Sequence, residues 1–199
     1  MASLVATNVN GNLTLDAGRV RLVVSGSDLL GGHHTGSWDA DFTQSPPKFV
    51  GGGKVSRLSM EQLSSLMDDN WAAGTVSGQY ALSLQGSDAA TLRETADGSA
   101  TFTWVAGSLR HVTLDGHGSP MSFASLDGTV ALQNGKFTLS DCNLQSGMGT
   151  FAVKGSASYA RTIDLRLERP VGRSYGITGS LDKPHVESLV SPSTEATLR

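Results

Sequence analysis

Thr129-Val-Ala-Leu-Gln-Asn-Gly-Lys-Phe-Thr-Leu139 decides the fold. Val130 and Leu132 alternate with polar neighbours, Asn134-Gly135 interrupts, and Phe137 and Leu139 alternate on the way back. An Asn-Gly pair between two alternating runs predicts a hairpin with a type I′ turn, because both turn residues must take φ > 0. The pattern continues beyond it. Thr150–Gly155 carries Phe151 and Val153, and Ile163–Glu168 sets Ile163, Leu165 and Leu167 against Asp164, Arg166 and Glu168. Strands this short, joined by turns this tight, must be antiparallel, since a parallel return needs a long crossover. The stretch Gly128–Leu167 therefore reads as a β-meander.

The same period runs upstream. Leu13 and Leu15, then Val20, Leu22 and Val24, alternate almost from the start, as in a cut from the middle of a longer protein. Ser37–Thr43 places Trp38, Ala40 and Phe42 opposite Ser37, Asp39 and Asp41. Pro46-Pro47 turns the chain and Phe49–Leu58 returns through Gly51-Gly52-Gly53. Thr75–Gln85 carries Val76, Tyr80, Leu82 and Leu84 on one face. Ser99–Val105 presents Ala100, Phe102 and Trp104, with a turn expected at Ala106-Gly107 and a return over Ser108–Leu114. Tyr175–Leu181 is the last expected strand, stopped by Lys183-Pro184, and the Ser/Thr/Pro-rich stretch from Ser188 onward reads as a flexible tail. Phe137 and Leu139 are out of phase with Cys142 and Leu144, which calls for a bulge near Ser140-Asp141.

One segment follows a helical period instead. Met60, Leu63, Leu66 and Met67 share a face within Ser59–Asp69, and Ser59 with Gln62 has the spacing of a reciprocal capping box. A second short helix is expected over Ala89–Thr95, capped by Asp88 and anchored by Leu92. The fold class is mainly β: a curved antiparallel meander forming an open groove or half-barrel, with one or two short α-helices. Residues 1–187 form one domain and 188–199 the tail.

Composition narrows the function. The 199 residues include 24 glycines, carry 17% charged side chains and have a net charge of −3, which leaves no basic footprint for nucleic acid. The one cysteine, Cys142, excludes an internal disulfide and any CxxC site. No run is long and apolar enough to span a membrane, and Met1–Asn10 lacks the regions of a signal peptide. His33-His34 alternate across a strand or sit in a loop, so the two rings cannot readily share an ion. His111, Asp115 and His117 could offer three metal ligands, but Asp115-Gly116 also reads as an ordinary turn. Asp39 with Asp41, and Asp164 with Glu168, could in principle serve glycoside hydrolysis. Alternation puts them on the polar face, where they decorate a sheet. No G-x-S-x-G elbow occurs, and no catalytic residue, metal or cofactor is expected.

The inward face is the remaining candidate. About a dozen strands have one apolar face, and two short helices cannot cover it. Either two sheets stack, making a closed sandwich that serves as a structural or interaction module, or one curved sheet keeps its concave side open to an apolar ligand. In the second case Trp38, Phe42, Tyr80, Leu82, Phe102, Trp104, Leu132, Phe137, Leu139, Phe151, Ile163 and Leu165 would meet it.

The order of segments is distinctive: G-S-W-D-A-D-F at Gly36–Phe42, a Gly-rich strand, then L-S-M-E-Q-L-S-S-L-M at Leu58–Met67. G-T-V-S-G-Q-Y-A-L-S-L-Q-G follows at Gly74–Gly86, D-G-T-V-A-L-Q-N-G-K-F-T-L-S-D at Asp127–Asp141, and Y-G-I-T-G-S-L-D-K-P at Tyr175–Pro184. Over Gly18–Glu187 this resembles the C-terminal region of AsmA-family proteins, the group related to TamB. The resemblance implies a section of a large envelope protein, held in the inner membrane by an N-terminal helix outside this chain, with its bulk in the periplasm. It also implies a β-groove with an apolar floor, phospholipid acyl chains as ligands, neighbouring β segments as partners, and a part in moving phospholipid to, or assembling, the outer membrane.

Overall fold

A computed structural model describes residues 4–114 and 118–189. Among the described residues twelve strands form one sheet, ordered as in the sequence, and every neighbouring pair is antiparallel. The first four are β1 (Ala6–Asp16), β2 (Arg19–Leu29), β3 (Gly32–Asp41) and β4 (Lys48–Ser59). Helix α1 (Met60–Leu66) leads to β5 (Ala72–Gln85), and helix α2 (Ala89–Glu94) to β6 (Asp97–Leu109). The meander then runs without helices through β7 (Met121–Gln133), β8 (Lys136–Ser146), β9 (Gly149–Ser158), β10 (Thr162–Glu168), β11 (Ser174–Ser180) and β12 (Lys183–Leu189). Among the described residues β1 and β12 do not pair, so the sheet stays open.

The deciding hairpin forms as its sequence requires. Gln133 pairs with Lys136, and Asn134 and Gly135 sit at φ 49° and 73°. The bulge in β8 is present too: the register slips between Leu139 and Cys142, with Asp141 at φ 52°. It is one of a set. β2 slips between Val24 and Ser27, β4 between Val55 and Leu58 with Arg57 at φ 52°, and β6 opposite Ala73–Thr75 with Ala106 at φ 50°. A bulge adds twist and bends its strand, so the bulges in β2, β4, β6 and β8 curl the sheet.

Four expectations are corrected. The chain does not turn at Ala106-Gly107: β6 runs through it to Leu109, since a bulge absorbs the residue that would have closed a turn, and Ser108 pairs with Ser122 of β7. Lys183-Pro184 does not end the sheet but starts β12, which is possible because proline's missing N–H costs nothing on an edge strand. Ser188 and Leu189 remain paired with Tyr175 and Ser174; the remainder of the expected tail lies outside the described residues, as do Asp115 and His117. The capping box is half made. Ser59 Oγ accepts from Gln62 N at 3.2 Å, but Ser59 N donates to Leu30 O at 2.8 Å, so no donor is left for the Gln62 side chain. His33 and His34 lie within β3, the strand alternative, so their rings project to opposite faces.

Buried side chains concentrate on the inside of the curl, from Met60 and Ala72 across Trp104, Leu126, Leu144 and Phe151 to Leu167 and Ile177. The segment Met60–Trp71 and the loop carrying Val112 cover that part of the sheet. Leu63 and Trp71 pack onto it, and the Arg161 guanidinium, from the β9–β10 turn, donates to Met67 O.

Candidate functional site

Directly opposed residues of an antiparallel pair project to the same face, so the registers trace one surface across the molecule. Leu13 of β1 opposes Leu22, Leu22 opposes Trp38, Trp38 opposes Gly51, and Gly51 opposes Leu82. Further along, Val76 opposes Trp104, Trp104 opposes Leu126, Leu126 opposes Leu144, and Leu144 opposes Phe151. Leu167, Tyr175 and Ile177 complete the row. Each bulge flips the parity of its strand where the sequence flips it, as in β8 from Phe137 and Leu139 to Cys142 and Leu144. The result is one mainly apolar face that crosses the sheet.

The opposite face is polar and takes up the carboxylate pairs. Asp39 lies 3.7 Å from Arg21 and Glu168 2.8 Å from Lys154. Asp41 accepts from Thr43 Oγ1, Gln44 Nε2 and Thr43 N, and these bonds hold its pKa down at about 2. A carboxylate so stabilised in its charged form is a poor general acid. No group of three metal-ligating side chains occurs among the described residues. Cys142 is buried, which raises its pKa, and its thiol donates to Ser140 O at 3.3 Å.

The expected contact residues all fall on, or at the end of, the apolar face, but in different surroundings. Trp104, Leu139, Ile163 and Leu165 line a cavity of about 200 Å³ within the curl. Trp104 is 7% exposed, with Nε1 donating to Ala73 O at 2.9 Å. Phe151 is wholly buried, its ring 6.1 Å from Tyr175 and 5.0 Å from the Arg169 guanidinium. Phe102 is half-buried beside this core; Leu132 is buried, and Phe137 meets Tyr159 edge-on at 5.1 Å. Trp38, Tyr80 and Leu82 are half-buried, on the more open part of the sheet. There the His34 ring stacks on Tyr80 and shares a hydrogen bond with its hydroxyl at 2.9 Å. Burial, then neighbouring His33, lowers the His34 pKa, which keeps the ring neutral near pH 7. Phe42 is exposed and touches Phe49.

Several cavity walls were not anticipated. Leu126, Leu144, Val153 and Ile177 follow from strand parity once Trp104 is placed inward. Trp71, Val112 and Met121 do not, because they come from or border irregular connections that carry no period. Among the described residues no helix is long and apolar enough to cross a membrane. Among the described residues the arrangement offers a broad surface for apolar contact. Comparison of the chain with protein-family models, with curated proteins and with solved structures gives no match.

Proposed function

We propose that this chain is a section of a periplasmic, inner-membrane-anchored protein of the AsmA kind, which guides phospholipid acyl chains along the concave face of its sheet. The observation that carries the reading is the single, mainly apolar face that crosses the one-layer sheet and is covered by the chain's own segments only towards one end. Acyl chains would shed water against it at about 0.8 kcal/mol per buried methylene. The action is passive, without catalysis, and selects for hydrocarbon over any one head group. The order of sequence segments supports the family, and the one-layer meander supports the groove over a stacked sandwich.

The edges support neighbouring β segments as partners. β12 is blunted by Lys183, Pro184, His185 and Glu187, whereas β1 carries one charge in its 11 residues, Asp16 at the turn. Charges and proline are the usual protection of a free edge, so β1 is the side where a further strand of a longer protein would continue the trough.

Trp38 is the residue to test. Trp104 is too deeply buried for a charged substitution to report on binding without unfolding the sheet, whereas Trp38 is half-exposed over Gly51. Protein purified under native extraction conditions should carry phospholipid by mass spectrometry, and Trp38→Glu should lose it while keeping its thermal midpoint. A lipid-free wild type, or an unchanged load in Trp38→Glu, sinks the reading.

A further inference from the structure

We propose that Met60–Trp71 is a lid over the buried end of the apolar face, which must open for a full-length acyl chain to enter; the inference rests on the chain-binding reading above. The first ground is volume. An apolar cavity of about 150 Å³ takes a benzene-sized guest. On that scale the roughly 200 Å³ between Trp71, Trp104, Leu139 and Ile177 takes about eight carbons. A membrane acyl chain is about twice as long. The closed form can hold a chain end and no more.

The second ground is how the segment is held. Its N-terminal side is fixed to the sheet: Glu61 Oε1 accepts from Gly74 N at 3.0 Å and Ser64 Oγ donates to Ala72 O at 3.3 Å. Its far side is held by polar latches. The Arg161 guanidinium donates to Met67 O, His111 Nε2 meets Asp69 Oδ1 at 2.9 Å, and Arg110 N donates to Trp71 O at 2.9 Å. Water can replace each of these bonds. The same stretch carries stored cost, with Asp68 at φ 55° and two buried polar atoms, Asp69 Oδ2 and Trp71 Nε1, that have no hydrogen-bond partner. Opening hydrates both. Trp71, edge-on to Trp104 with centroids 6.4 Å apart, is the wall that leaves.

The test bridges the latch after folding. In a Cys142→Ser background, Asp69→Cys and His111→Cys are joined by a short bismaleimide or capped separately with N-ethylmaleimide. Binding of cis-parinaric acid, an 18-carbon chain, is then read by fluorescence. Each methylene left outside weakens binding about fourfold, so the bridged protein should bind about a hundredfold or more weaker than the capped one. Equal affinity overturns the lid and leaves the chain-binding reading standing. If neither form nor the wild type binds the probe, the chain-binding reading falls. Amide exchange in the unmodified protein then judges the lid: Met60–Trp71 should exchange at least about tenfold faster than β9, and equal protection overturns it.

Discussion

β1 through β4 and β6 through β11 are built from the same alternation, yet their inward side chains live in different worlds. Leu15 of β1 is 74% exposed; Phe151 of β9, on the same continuous face, is 0% exposed. Hydrophobicity does not separate them, and neither does strand geometry. The difference is cover. α1 and the loop holding Val112 lie over the second region, and the curl brings the β9–β10 turn within reach of α1 through Arg161. The first region has the bare sheet. Alternation specifies which side of a strand is apolar; what that side meets is set by inserted segments and by curvature.

The widest gap between the two regions should appear on truncation. Phe151→Ala leaves a hole under Tyr175 and Arg169 and should cost about 3–5 kcal/mol. Leu15→Ala removes a side chain already in water and should stay within about 0.5 kcal/mol. Urea unfolding of both variants measures the contrast. Comparable losses would mean that β1 is covered in solution, by a partner or by self-association.

Much of this was legible in the residues. The Asn134-Gly135 turn, the phase slip in β8 and the helix after Ser59 each have a local cause, and each forms. The inward assignment of Trp104, Phe151 and Ile163 also followed from parity alone. What could not be read is non-local. The bulge at Ala106 looks like a turn, because a residue at φ > 0 beside a glycine is common to both, and only pairing with β5 and β7 distinguishes them. Likewise Trp71 and Val112 carry no period, so their place in the cavity wall depends on the path of a connection. The depth of burial of Trp104 against the openness of Trp38 is of this second kind.

Two glycines sharpen the contrast on a smaller scale. A Cβ at Gly128 would stand 2.3 Å from Cys142 Sγ and 2.7 Å from its Cα, inside the covered region. A Cβ at Gly51 would stand 2.2 Å from Trp38 Cδ2, a ring on the open side that can swing into solvent, and 2.8 Å from the backbone oxygen of Ser37. Gly128→Ala should therefore cost about 1–3 kcal/mol as overpacking against backbone. Gly51→Ala meets backbone at a similar distance, so its added mark should be the displaced ring, read as a change in Trp38 fluorescence. A larger loss for Gly51→Ala would mean that the Trp38 ring is held in place by something beyond the sheet.

The smallest effect compares two carboxylates. Asp41, on the open side, owes its pKa of about 2 to its own turn, chiefly the hydroxyl of Thr43, then Gln44 and the Thr43 amide. Glu61 is lowered first by the amide of Gly74, a bond that ties the lid to the sheet. A carboxyl whose folded pKa lies below its unfolded value lends stability above the unfolded value and loses it as pH falls through the folded one. Below the ordinary glutamate value near 4.5 the Glu61 contribution should drain away, and that of Asp41 should go as pH falls through about 2. The Gly74 amide resonance should then titrate with a midpoint under 4.5, and Glu61→Gln should flatten it. The Thr43 amide should move separately, with a midpoint near 2, and leave the lid resonances unchanged. If Gly74 does not respond, the lid is not fastened through Glu61, and its hinge lies elsewhere in Met60–Trp71.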